Sequence, residues 1–115
     1  MGKVVDYADY AFNGSAPGAQ YDLELEIPNE YELVEINQLV AIDENSAPGF
    51  VKLGLKIGDT YHWYKSSASP TAGTTVSVQG KIYARGGQKV VARFANATAG
   101  DDVRLFVNGK AWLKE

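Results

Sequence analysis

The feature that most constrains this chain is a period-two alternation of apolar and polar residues that keeps restarting between turn signals. In residues 21–27, Tyr21, Leu23, Leu25 and Ile27 fall on one side, and Asp22, Glu24 and Glu26 on the other. That is the pattern of a strand with one buried face. Residues 51–57 repeat it, with Val51, Leu53, Leu55 and Ile57 opposite Lys52, Gly54 and Lys56. No heptad, internal repeat or amphipathic helical stripe accompanies these runs. A chain patterned this way has no helix to pack on a sheet, so its sheets must cover one another. The expected class is all-β: a two-sheet antiparallel sandwich, jelly-roll-like, of eight to nine strands.

The punctuation refines this reading. Residues 31–43 make a longer strand whose phase slips. Leu33 begins one face, while Val34, Ile36, Val40 and Ile42 occupy the other, which predicts a bulge or bend near Leu33 and Val34. Gly58-Asp59 favours a two-residue turn that pairs Leu55 with His62. A three-residue loop would instead bring Tyr61 and Trp63 inward, and the larger apolar burial favours that register. Residues 74–85 place Val76, Val78, Ile82 and Ala84 on one face, and residues 88–94 do the same with Val90, Ala92 and Phe94. A loop of Arg85, Gly86 and Gly87 would join them as a hairpin, with Gly87 at positive φ. Val103, Leu105 and Val107 lead to Asn108-Gly109, a strong hairpin signal. That hairpin would set Phe106 beside Leu113 on an outer apolar patch.

Residues 1–20 have a different texture from the sandwich proper, residues 21–115. Val4, Val5, Tyr7, Tyr10 and Phe12 are interleaved with Asp6 and Asp9, and Asn13-Gly14 and Pro17-Gly18 follow as joints. The segment reads either as an arm that lies on a partner or as a first strand of the chain's own sheet. On the arm reading, Val5, Tyr7, Tyr10 and Phe12 are partner-binding residues, together with Phe106 and Leu113 of the hairpin patch.

The formal charge is −3, from 14 acidic and 11 basic residues, which supplies no basic field for nucleic acid. No apolar run is long enough to cross a bilayer as a helix, and the N-terminus lacks the apolar core of a signal peptide. There is no cysteine. The expected setting is therefore folding in a cytoplasm without disulfides or thiolate metal sites.

Catalytic machinery is not legible. The single histidine, His62, has no nucleophile motif around the nearby Ser66 and Ser67. No phosphate- or dinucleotide-binding glycine motif is present. Asp43-Glu44-Asn45 and Asp101-Asp102 offer oxygens of the kind calcium takes, but turn preference alone accounts for both runs. No metal or cofactor is expected, and no enzymatic activity. The run Tyr61, His62, Trp63 and Tyr64 must send two side chains outward. With Tyr61 and Trp63 inward, the outward pair is His62 and Tyr64, candidates for stacking on a glycan.

The run from Phe94 through Asp101-Asp102 to Asn108-Gly109 resembles the closing strands of small jelly-roll proteins on tailed-phage virions. The resemblance covers residues 74–115 and rests on a strand, a Gly-Asp turn, a second strand and an Asn-Gly hairpin. It implies a virion structural protein, such as a capsid decoration or cement protein, a head fibre or a tail-associated module. A viral capsid or tail protein would then be its partner, assembly would occur in a host cytoplasm, and a homo-oligomer, a trimer first, would be its state. The alternative reading is a carbohydrate- or receptor-binding sandwich module.

Overall fold

A computed structural model describes residues 2–115. It contains eight strands: β1 (Val4–Asn13), β2 (Tyr21–Glu26), β3 (Tyr31–Asp43), β4 (Phe50–Ile57), β5 (Thr60–Ala68), β6 (Val76–Ala84), β7 (Lys89–Ala95) and β8 (Val103–Leu113). They form two four-stranded antiparallel sheets, in the orders β1-β8-β3-β6 and β2-β7-β4-β5. Every connection except β4–β5 passes from one sheet to the other. This is jelly-roll topology, and the expected all-β sandwich is what the chain forms.

The alternating residues meet between the sheets. Leu23, Leu25 and Ile27 pack with Val51, Leu53, Leu55, Val90, Ala92 and Phe94 from the second sheet. Val34, Ile36, Leu39, Ala41, Ile82, Val103, Leu105 and Val107 face them from the first. All are buried at the centre of the sandwich, where apolar area removed from water supplies the main driving force.

Strand β3 is irregular beside Leu33, as predicted, and at a second place that was not. Its register shifts between Tyr31 and Leu33 against β8, and again between Ile36 and Gln38 against both neighbours. The second bulge, at Asn37, moves Leu39 and Ala41 into the core, while Val40 and Ile42 turn outward, contrary to the sequence reading. One extra residue flips every later side chain to the other face.

Three predicted turns also resolve differently. Gly58-Asp59 is a two-residue turn, with Ile57 opposite Thr60 and Leu55 opposite His62. Gly58 takes φ 61° at the first central position, as a type II′ turn requires. The turn therefore wins over the apolar match, and Tyr61 and Trp63 lie on the outer face. Gly87 has the expected positive φ of 88°, but β6 and β7 belong to different sheets, so no hairpin joins them. Asn108-Gly109 is no turn at all. Strand β8 runs straight through it, sandwiched between β1 and β3, with Gly109 opposite both Tyr7 and Ile36. A Cβ on Gly109 would overlap the carbonyl of Glu35, so glycine here serves close strand approach.

The opening segment takes the form of a first strand. Strand β1 pairs along its ten residues with β8 as an edge of the first sheet. Its Tyr7 is buried between the sheets, edge-to-face with Tyr31 at 5.4 Å and 85°. Burial, aided by Asp9 and Tyr31, pushes the Tyr7 hydroxyl up to about 12.

Candidate functional site: the outer face of the first sheet

The two outer faces of the sandwich differ in kind. On the second sheet, paired positions align in rows across the strands. One row is Glu24, Val91, Gly54 and Trp63, and another is Glu26, Lys89, Lys56 and Tyr61. Tyr61 and Trp63 stack with centroids 5.3 Å apart and planes 7° apart. The Arg93 guanidinium lies 4.5 Å from the Tyr61 ring centre and 4.9 Å from that of Trp63. Arg93 also donates twice to Asp22, at 2.7 and 2.9 Å, and the Tyr61 hydroxyl donates to the same carboxylate at 3.1 Å. The Arg93 hydrogen bond is the main force holding the Asp22 carboxyl below its usual range. Val91 points outward by the pleat, yet it is 0 % exposed. This face is thus a closed brace, with its aromatic rings engaged by each other and by Arg93.

His62 and Tyr64, the predicted glycan-stacking pair, are exposed on the edge strand β5 and belong to no such cluster. Their expected role depended on Tyr61 and Trp63 facing inward, which the Gly58 turn prevents. The signal for the outward pair was present in the Gly-Asp turn preference.

The first sheet leaves its central aromatic pair, Tyr10 and Phe106, without such a brace. Tyr10, Phe106, Val40 and Ser77 form a row across all four strands, and Phe12, Arg104 and Ile42 form the next. Tyr10 is 63 % exposed and Phe106 is 42 % exposed, with ring centroids 6.2 Å apart. Phe12 is exposed as well, and the Arg104 guanidinium sits 4.3 Å from its ring centre while donating to Glu44 at 2.7 Å. The row on the other side of Tyr10 and Phe106 is Ala8, Asn108, Gln38 and Gln79, whose side chains beyond Ala8 are all amides. Two shallow hollows meet at Asn108. One of about 340 Å³ is lined by Tyr10 and Phe106, and one of about 440 Å³ by Asn37, Gln38, Gln79 and Lys81.

Of the six predicted partner-binding residues, the structure brings Tyr10, Phe12 and Phe106 onto this one face. Tyr7 is in the core, and Val5 packs against the core from the inner side of β1. Leu113 is half-buried and has the inward parity of β8, so it does not share a patch with Phe106. That expectation fails with the Asn108-Gly109 hairpin on which it rested. Val40 and Ile42, which extend the patch, share a face with Val34 and Ile36 in the sequence pattern and so are not legible as part of it. Only the Asn37 bulge places them outside.

Among the described residues, no group of three or more His, Asp or Glu side chains is arranged to hold a metal ion. No helix is long and apolar enough to cross a membrane.

No protein-family model matches the sequence, and no curated protein matches it either. The fold does have solved counterparts. A Bacillus endospore appendage protein, from a family of disulfide-linked pili, superposes with TM-score 0.53 at 11 % identity, over 100 % of this chain and 92 % of that one. A Clostridium perfringens carbohydrate-binding module, solved with GalNAc-β-1,3-galactose, superposes with TM-score 0.50 at 11 % identity, over 87 % and 94 %. The C-terminal domain of A223, a structural protein from Sulfolobus turreted icosahedral virus, is a looser match, with TM-score 0.34 at 17 % identity over 91 % and 98 %. These likenesses show the fold, a β-sandwich.

Proposed function

We propose that this chain is a non-enzymatic structural subunit of a multi-subunit particle, and that the outer face of its first sheet docks onto neighbouring protein. The fold serves a pilus protein and a glycan-binding module alike, so the fold leaves both roles open and the surface has to decide. The observation that carries the reading is the row of exposed Tyr10 and Phe106, continued by Val40, Phe12 and Ile42. The sandwich core is already closed, and the opposite face shows how this protein covers outward aromatics when it means to. Contiguous exposed aromatic side chains flanked by half-buried aliphatic ones are what interface centres are made of.

A virion is the particle we favour, as a capsid decoration, cement or tail-associated protein bound to a capsid or tail partner, itself a homo-oligomer and first of all a trimer. Support comes from the resemblance of residues 74–115 to phage jelly-roll proteins. One of its elements is changed, because Asn108-Gly109 is strand and not hairpin. Sedimentation velocity tests the docking face. Phe106→Asp and Tyr10→Ser should each shift the wild-type assembly toward monomer while leaving the circular dichroism of the sheet unchanged. Wild-type protein that stays monomeric at its solubility limit and binds no viral shell would contradict the reading.

The amide row favours a second reading, a glycan site on the same face. Asn108, Gln38 and Gln79 can each donate and accept, which suits sugar hydroxyls, and Tyr10 and Phe106 supply rings for stacking. Asn108 and Gln38 are already joined, Nδ2 to Oε1 at 3.1 Å. Saturable binding on a glycan array that is lost in Gln79→Ala, with assembly intact, would establish this role instead.

A further inference from the structure

The connections β1–β2, β3–β4, β5–β6 and β7–β8 gather at one end of the sandwich. Their backbones are tied there by hydrogen bonds from Ala16 to Asp101, Glu44 to Asp102 and Gly73 to Asp43, at 2.9–3.1 Å. Two carboxyl groups are enclosed among them: Asp43 is 3 % exposed and Asp101 is 5 % exposed. Ser46 holds them side by side. Its N–H donates to Asp43 Oδ1 at 3.2 Å, and its hydroxyl donates to Asp101 Oδ2 at 2.6 Å. The Asn45 N–H adds a second bond to Asp43 Oδ1, and the Thr98 N–H a second to Asp101 Oδ2. Asp43 Oδ2 is left buried with no donor. The group that Ser46 bridges to it is another acceptor, the Asp101 carboxyl, which acts on the Asp43 side chain as a hydrogen-bonding neighbour.

Two ionised carboxylates side by side would repel, and the Asn45 and Ser46 N–H groups offset only part of that for Asp43. No cation offsets them from the surrounding elements. Residues 14–20 and 69–75 carry no charged side chain, and the charged residues of the other two connections are Glu44, Asp101 and Asp102. The nearby cation of β8, Arg104, is engaged by Glu44 and lies over the Phe12 ring. A calcium ion takes about six to eight oxygens. Among the described residues, no group of three or more carboxylates is arranged to hold one here.

We propose that Asp43 and Asp101 share a single proton, with Asp43 Oδ2 bonded to the Asp101 carboxylate through it, and that this pair is a pH-sensitive latch on the loop end of the sandwich. The proton turns an acceptor–acceptor contact into a hydrogen bond and satisfies the buried oxygen in one step. Burial first, and the Asp101 carboxyl beside it second, push the Asp43 carboxyl above its usual range. A folded-state pKa above the unfolded value gives stability that is complete below the unfolded pKa. That stability is lost as pH rises through the folded pKa. Loss of the proton puts a second charge beside Asp101, and the connections it joins loosen.

The test is the carboxyl ¹³C NMR titration of the full chain, with thermal melts of wild type, Asp43→Asn and Asp43→Ala over the same pH range. Asp43 Cγ should titrate above the ordinary carboxylate range. Amide exchange at Ser46 and Thr98 should accelerate through that transition. Asp43→Asn supplies an N–H donor where the proposal puts the shared proton, so it should melt no lower than wild type at neutral pH and lose the decline with rising pH. Asp43→Ala should melt lower than Asp43→Asn. Titration of Asp43 in the ordinary range would overturn the proposal, as would an Asp43→Asn variant as unstable as Asp43→Ala. A rise in wild-type melting temperature on adding calcium, absent in Asp43→Asn, would overturn it too, in favour of a metal ion.

Discussion

Two glycines set how closely the strands of this sandwich approach. A Cβ on Gly54 would overlap the His62 carbonyl, and one on Gly109 would overlap the Glu35 carbonyl, and each lies beside a register shift. Neither clash can be relieved by turning a side chain, because the obstacle is backbone. Gly109→Ala is therefore expected to destabilise the fold by about 1–3 kcal/mol, the range for overpacking in a tight interior. Urea unfolding would measure it, and an unchanged midpoint would show that β3 and β8 can part locally. Asp22 has the opposite pH dependence to Asp43. Its carboxyl is held low, chiefly by Arg93, so its contribution is present above the unfolded value of 3.8 and is lost as pH falls through the folded pKa. Asp22→Asn should blunt the acid-side loss of stability and cost about 1 kcal/mol at neutral pH, a modest figure because the pair is partly solvated.

At the scale of elements, β1 carries the clearest expectation. It covers the edge of β8 along ten residues and places Tyr7 in the core. The connection that follows it ties Ala16 to Asp101 and Gly100. A truncated chain starting at Ala19 would expose the β8 edge and open the core, so it should be insoluble or melt far below the full chain. A cooperative melt near that of the full chain would mean that β1 is held only loosely. The alternation in residues 21–27 and 51–57 was readable because each of β2 and β4 keeps one face on the core through its central residues. Strand β3 was not readable in the same way. The bulge at Asn37 leaves no mark in composition, yet it decides that Leu39 faces in and Val40 out. The hairpin signal at Asn108-Gly109 misled because the same dipeptide also suits a strand crowded by neighbours on both sides. Of the docking face, Tyr10, Phe12 and Phe106 were legible as surplus aromatics. Their union on one surface was not, since β1 and β8 pair across nearly the whole length of the chain.

The whole molecule is a brick of 44 × 23 × 22 Å with two unlike broad faces. The face of the second sheet is closed by the stack of Tyr61, Trp63 and Arg93 over a buried Val91. The face of the first sheet leaves Tyr10 and Phe106 in water. Apart from the β4–β5 hairpin, strand pairing is non-local, so folding is expected to be slow relative to helical domains of this size. That asymmetry of faces is the core of the functional reading. The most direct test is a cryo-electron microscopy reconstruction of the native assembly at side-chain resolution. The account predicts that neighbouring protein covers Tyr10, Phe106, Phe12 and Val40, with the second sheet turned to solvent. Contacts made through the Tyr61 and Trp63 face, with Tyr10 and Phe106 left bare, would contradict it.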